Sequence, residues 1–109
     1  MKNDLILQEI NNLVKNNNII LFMKGSQEIP LCGFSARVVA IMNHLNLQFV
    51  DINILESEEM RQGIKDYSDW PTIPQLYIKG NFIGGCDIVK EMFETGELQK
   101  LLQEKNLLP

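Results

Sequence analysis

Cys32 sits in a stretch whose residue types suit thiol chemistry. It is preceded by Lys24-Gly25-Ser26-Gln27-Glu28-Ile29-Pro30-Leu31 and followed by Gly33-Phe34-Ser35. An apolar run at 19–23 comes before the stretch, and Val38, Ile41, Met42 and Leu45 repeat at helical spacing after it. The cysteine therefore belongs to a loop that leaves a strand and enters a helix. Free backbone N–H groups at a helix N-terminus favour an anion, so they favour thiolate over thiol. Lys24 brings a positive charge to the same loop. Thiolate is the form that attacks disulfides and binds soft metals. A dithiol motif would carry a second cysteine three residues on. That position is Ser35, which can cap the helix or donate a hydrogen bond to the sulfur but cannot close a disulfide.

Other candidates carry a functional and an ordinary reading side by side. Cys32 itself could be a small buried hydrophobe; Gly33, which leaves the sulfur open, and the loop-forming Gly25 and Pro30 speak for a working thiol. Lys24 and Arg61 could be solvated surface charges or anion ligands. Thr72-Ile73-Pro74 could be a plain turn or a backbone edge for an extended ligand. Gly84-Gly85-Cys86-Asp87 runs into a helix N-terminus; its N–H groups suit a carboxylate, and Asp87 could equally be a simple cap. Cys86 is expected to contribute backbone and packing rather than sulfur chemistry. His44 has no ligand-spaced cysteine or histidine around it and reads as surface.

The elements that must position these residues can be read from periodicity. A helix is expected at 4–16, with Asp4 at its start and Ile6, Ile10, Leu13 and Val14 on one face. The 19–23 run is apolar throughout, as in a strand buried on both faces. A helix from about 35 to 45 and a strand at 48–53 complete a parallel βαβ unit. Ser57 starts the next helix, with Glu58 and Glu59 in its first turn and Met60, Ile64 and Tyr67 on its buried side. Two prolines keep 70–74 out of a helix. Strands at 75–79 and 82–84 are joined by a two-residue Gly80-Asn81 turn. A helix capped by Asp87 carries Ile88, Met92 and Phe93, and after Gly96 a last helix with Leu98, Leu101 and Leu102 runs to about 106. The order predicts an α/β, thioredoxin-like fold: a four-stranded mixed sheet flanked by helices. Cys32 would stand at the carboxyl edge of the first strand, where open α/β sheets place ligands.

Composition narrows the function. With 109 residues the chain suits one domain, 1–109, with a real core. Hydrophobic residues make up 45% and charged residues 22%, with a net charge of −4. The acidic balance argues against a nucleic-acid partner. No apolar run reaches the roughly 20 residues that span a bilayer. Met1-Lys2-Asn3-Asp4 does not read as a secretory signal. Two cysteines do not make a disulfide framework, which points to a reducing, cytoplasmic setting.

Three motifs occur in order: Lys-Gly-x4-Pro-x-Cys-Gly-Phe-Ser, Trp-Pro-Thr-Ile-Pro-Gln and Gly-Gly-Cys-Asp, spanning residues 24–87. Together they resemble the single-domain monothiol glutaredoxins of the Cys-Gly-Phe-Ser class, and the similarity continues over nearly the whole chain. Ile73 stands where relatives often carry Phe or Val. The resemblance implies a cis bond before Pro74 and glutathione as ligand, with Phe34, Thr72 and Pro74 among the binding residues. Lys24 and Arg61 would meet its glycine-end carboxylate, Ile73 its cysteinyl backbone, and Cys86 and Asp87 its γ-glutamyl end. It further implies a [2Fe–2S] cluster bridging a homodimer, held by Cys32 of each chain and two glutathione thiolates. The partners would be apo iron–sulfur proteins and a BolA-like protein. One usable cysteine per chain cannot supply the four thiolates a cluster takes, and a half-diffusible ligand set suits a carrier. The alternative is a glutathione-dependent thiol-disulfide oxidoreductase using Cys32 as nucleophile. The six residues 26–31 favour the carrier, since the catalytically active dithiol glutaredoxins have a shorter loop there.

Overall fold

The computed structural model describes residues 4–109. The expectation about a signal at Met1-Lys2-Asn3 lies outside the described residues, as does any cap ahead of Asp4. The order is α1 (Asp4–Asn16), β1 (Ile19–Met23), α2 (Gly33–His44), β2 (Val50–Asn53), a 3-10 turn (Ile54–Glu56), α3 (Glu58–Ser68), β3 (Gln75–Ile78), β4 (Asn81–Gly84), α4 (Cys86–Thr95) and α5 (Glu97–Glu104). The four strands run in the order β2-β1-β3-β4. β1 pairs parallel to β2 and antiparallel to β3, and β3 pairs antiparallel to β4. The expected mixed sheet and thioredoxin-like layout are present.

β1 is the central rail because every one of its five side chains is buried. Strand alternation splits them between two cores. Ile19, Leu21 and Met23 join Val38, Met42, Val89, Leu98 and Leu102 under α2, α4 and α5. Ile20 and Phe22 join Ile10, Val14, Met60 and Ile64 under α1 and α3. Burying a side chain the size of Phe22 contributes about 1.5–3 kcal/mol. A sheet filled on both faces is therefore the rigid frame for the loop that leaves β1.

Several boundaries differ from the sequence expectation, each for a local reason. β2 starts at Val50 rather than 48, because its ladder with β1 begins at the Ile20 and Val50 pair. The hairpin turn is Lys79-Gly80, not Gly80-Asn81. Ile78 pairs with Asn81, and Lys79 and Gly80 both take positive φ (51° and 81°), as a type I′ turn requires. α2 begins at Gly33, two residues earlier than expected, so Cys32 is the cap residue and Ser35 lies in the first turn. α4 begins at Cys86 after Gly85; Asp87 is an acid in the first turn rather than the cap, and Val89 is its deeply buried apolar residue. α5 ends at Glu104, with Asn106 in a left-handed conformation just beyond. Ser57 caps α3 as expected, its hydroxyl accepting from the Met60 N–H at 3.1 Å.

Candidate functional site

The loop between β1 and α2 is built onto β2. Gly25 turns the chain with φ +86°, and a Cβ there would stand 2.5 Å from the Ile29 carbonyl oxygen, which only glycine avoids. The Leu31 N–H donates to the Lys24 carbonyl at 3.0 Å and the Ser26 N–H to the Ile29 carbonyl at 3.1 Å. β2 side chains hold the loop from below. Asn53 Oδ1 accepts from the Gly25 N–H at 3.0 Å, and Asp51 accepts from the Gln27 N–H and from Gln27 Nε2, both at 2.9 Å. The six extra residues are thus a fixed platform. They present Ile29 and Leu31 outward, at 68% and 63% exposure, beside the Cys32 opening.

Cys32 caps α2 and is half-buried. Its pKa lies below the ordinary thiol value. The Ser35 backbone N–H is the largest cause; the Phe34 N–H, the Lys24 charge and the Ser35 hydroxyl add to it, against partial desolvation. Ser35 is fully buried, and its Oγ also accepts from the Lys24 N–H at 3.2 Å, tying the end of β1 to the first turn of α2. Space beside Gly33 is open, so an incoming group meets the sulfur without a side chain in the way. The Cys86 thiol is the reverse case: buried in the core, with its pKa pushed up by desolvation.

This contrast sets a prediction. Alkylation by iodoacetamide, tracked against pH and mapped by mass spectrometry, should modify Cys32 first, at pH values where an ordinary thiol is mostly protonated. Cys86 should lag throughout. Ser35→Ala removes only the hydroxyl, so the Cys32 profile should move modestly toward higher pH while the two backbone donors persist. Because the shift is downward, its contribution to stability is present above the unfolded thiol pKa and lost as pH falls through the folded one. Equal profiles for the two cysteines would contradict this account of the loop.

Cys32 opens into a cleft of about 450 Å³. All nine residues singled out in the sequence line it: Lys24, Cys32 and Phe34 from one side, Arg61 from α3, Thr72, Ile73 and Pro74 from the segment before β3, and Cys86 and Asp87 from the start of α4. The Ile73-Pro74 bond is cis. Trp70, Pro71 and Gly85, from the motifs quoted above, also line the cleft, as do Lys65 and Ile88, which were not singled out as site residues. Lys65 was findable, since it lies four residues from Arg61 on the same helical face. Gly85 comes close to the opposite wall: a Cβ there would be 3.3 Å from the Pro74 carbonyl oxygen. His44 stays outside, exposed and edge-on to Phe93 at 5.5 Å. The lining carries three cations, Lys24, Arg61 and Lys65, against one anion, Asp87. Such a cleft suits an extended ligand with carboxylates and a cationic amine. Among the described residues no group of three or more His, Cys, Asp or Glu side chains could hold a metal ion.

A parallel βαβ half, an antiparallel hairpin and a thiol of lowered pKa at the start of α2 define a thioredoxin-like thiol protein. Comparison with known proteins narrows this. The Glutaredoxin family model matches residues 19–83. A probable monothiol glutaredoxin 2 from Rickettsia typhi is 53% identical over 102 residues, covering 94% of this chain and 92% of that one. Among solved structures, reduced poplar apo GrxS14 is 49% identical with a TM-score of 0.78, covering 89% of each chain. A buckwheat glutaredoxin-glutathione complex is 26% identical with a TM-score of 0.85, covering 97% of this chain and 94% of that one. The chain belongs to the glutaredoxin family, as a monothiol glutaredoxin.

Proposed function

We propose that the chain binds glutathione in this cleft and, as a dimer, carries a [2Fe–2S] cluster for delivery to apo iron–sulfur proteins. The observation that carries the reading is a single cleft-lining thiol of lowered pKa, Cys32, with a serine where a resolving cysteine would be. The donor type fits, since thiolates are the ligands such clusters take. The donor number is one per chain, which calls for a second chain and two outside thiols. Glutathione is the outside thiol the lining favours. Its glycine-end carboxylate suits Lys24 and Arg61, its peptide backbone suits Ile73 flanked by Thr72 and Pro74, and its γ-glutamyl end suits Cys86 and Asp87 at the start of α4. Phe34 lines the cleft beside Cys32. The buckwheat relative solved as a glutathione complex supports the ligand. In this reading the cluster is cargo, a BolA-like protein is an expected partner, and the setting is cytoplasmic.

The test is anaerobic incubation with iron, sulfide and glutathione, then size-exclusion chromatography. The expected product is a brown dimer, with the unloaded chain running mainly as a monomer. A colourless monomer with rapid glutathione-dependent disulfide reduction would instead make the protein an oxidoreductase working through the same Cys32. A loaded monomer would require ligands beyond Cys32.

A further inference from the structure

Two polar side chains are fully buried among the described residues, Ser35 and Gln75, both at 0% exposure. Each stands behind one wall of the cleft. Ser35 lies under Cys32. Gln75 lies behind residues 70–74, and every polar group of its amide is used. Nε2 donates to the Trp70 carbonyl at 3.3 Å and to the Thr72 carbonyl at 3.2 Å, and Oε1 accepts from the Tyr77 hydroxyl at 3.1 Å. The two carbonyls and the hydroxyl leave one consistent orientation for that amide. Burial pushes the Tyr77 phenol well up, so it remains a donor.

Packing holds part of this wall, since Ile73 is in the core and the Trp70 ring lies 5.8 Å from that of Phe82, but few hydrogen bonds do. Trp70 is tied at its N–H, to the Lys65 carbonyl at 3.2 Å and to Ser68 Oγ at 3.1 Å. Beyond that point, among the described residues, the Gln75 amide supplies the hydrogen bonds that fix residues 70–74. Gln75 also opens β3 opposite Phe22 of the central strand, inside an otherwise apolar sheet. An apolar side chain of the same length would suit that sheet, and a buried amide is costly unless its bonds are made. Its bonds go to the cleft wall.

We propose that Gln75 is a positioning residue for glutathione: it sets where the Thr72 and Ile73 backbone stands relative to Cys32. The inference rests on the reading that this cleft takes glutathione. Gln75 touches no ligand itself; it acts through the Trp70 and Thr72 carbonyls. Tyr77 meets the amide at Oε1, not at the Nε2 that bonds the wall carbonyls.

Two variants separate positioning from stability. Gln75→Met keeps the volume and removes both bonds to the wall. Tyr77→Phe removes one buried hydrogen bond and leaves the wall bonds in place. Glutathione is titrated into the unloaded chain by NMR, at a temperature where each protein is folded, and thermal midpoints are recorded alongside. Both variants should melt earlier than the unaltered chain. Gln75→Met should also bind glutathione about tenfold more weakly, as misplaced recognition groups do, whereas Tyr77→Phe should stay within about twofold. If Gln75→Met does not fold, Gln75→Asn, one methylene short of the wall, carries the same expectation. Equal affinity in the Gln75 variant and the unaltered chain overturns the inference and leaves the proposed function standing. An equal loss in Tyr77→Phe also overturns it, since the effect would then track stability. An unaltered chain that takes up no glutathione overturns the proposed function and this inference with it.

Discussion

Cys32→Ser is expected to reduce cluster assembly to background, while Cys86→Ser keeps most of it. The two cysteines occupy opposite environments. Cys32 meets the first N–H groups of α2, with Lys24 nearby, and its thiol is more acidic than usual. Cys86 is packed into the core with Val89 and Leu98, and burial makes it less acidic. A serine hydroxyl at position 32 stays protonated in the same site and is a poor ligand for a soft iron–sulfur centre. At position 86 the hydroxyl replaces a sulfur that works by packing, so the expected effect is a modest loss of stability. Visible absorbance after anaerobic reconstitution reads the result. A Cys86 variant that loses the cluster while the Cys32 variant keeps it would reverse the ligand assignment.

The parts of this site legible in the sequence are those that local patterns encode. The apolar run of β1 marked a strand buried on both faces, and both cores now contain its side chains. The Ser57 cap was readable because a serine with two acids after it leaves few alternatives. Local patterns misled where two neighbours competed for one role. Ser35 and Asp87 are both good caps by type, yet the helices start earlier, at Gly33 and Cys86. Each helix start is set by the chain leading into it rather than by cap preference. Gly85 brings the start of α4 against Pro74, and the loop platform brings Cys32 into the cap position. The hairpin shifted by one residue because Lys79 accepts a left-handed conformation that a pattern search reserves for Gly or Asn.

What the sequence could not show is long-range. Gln27 reaches Asp51 across 24 residues, and Asn53 reaches Gly25 across 28. Neither pair has a local signature, yet they turn an inserted loop into a platform for Cys32. In the sequence Gln75 reads only as the start of a strand. Only its complete burial, with three hydrogen bonds, shows that it braces the cleft. A buried polar residue acquires meaning from its partners, and those partners are fixed by the fold.

The second large effect concerns the ends of the bound glutathione. Lys24→Ala and Asp87→Ala are expected to fold normally and to assemble the cluster poorly at ordinary glutathione concentrations. Each removes one charged group from the cleft lining and leaves Cys32 in place. Charge-assisted hydrogen bonds are stronger than neutral ones, so losing one should weaken glutathione binding roughly ten- to a hundredfold. Asp87 is exposed and Lys24 half-buried, so solvent screening puts Asp87→Ala toward the lower figure and Lys24→Ala toward the higher. In the proposed assembly, loss of bound glutathione would remove two of the four thiolates, whatever the state of Cys32. Excess glutathione should restore much of the assembly by mass action. β-Mercaptoethanol, a thiol with no carboxylate or amine for these residues to hold, should restore little. The measurement is cluster absorbance titrated against each thiol, for both variants and the unaltered chain. If β-mercaptoethanol rescues both variants as well as glutathione does, Lys24 and Asp87 do not read the ends of the tripeptide. The charges of the cleft would then serve some other ligand.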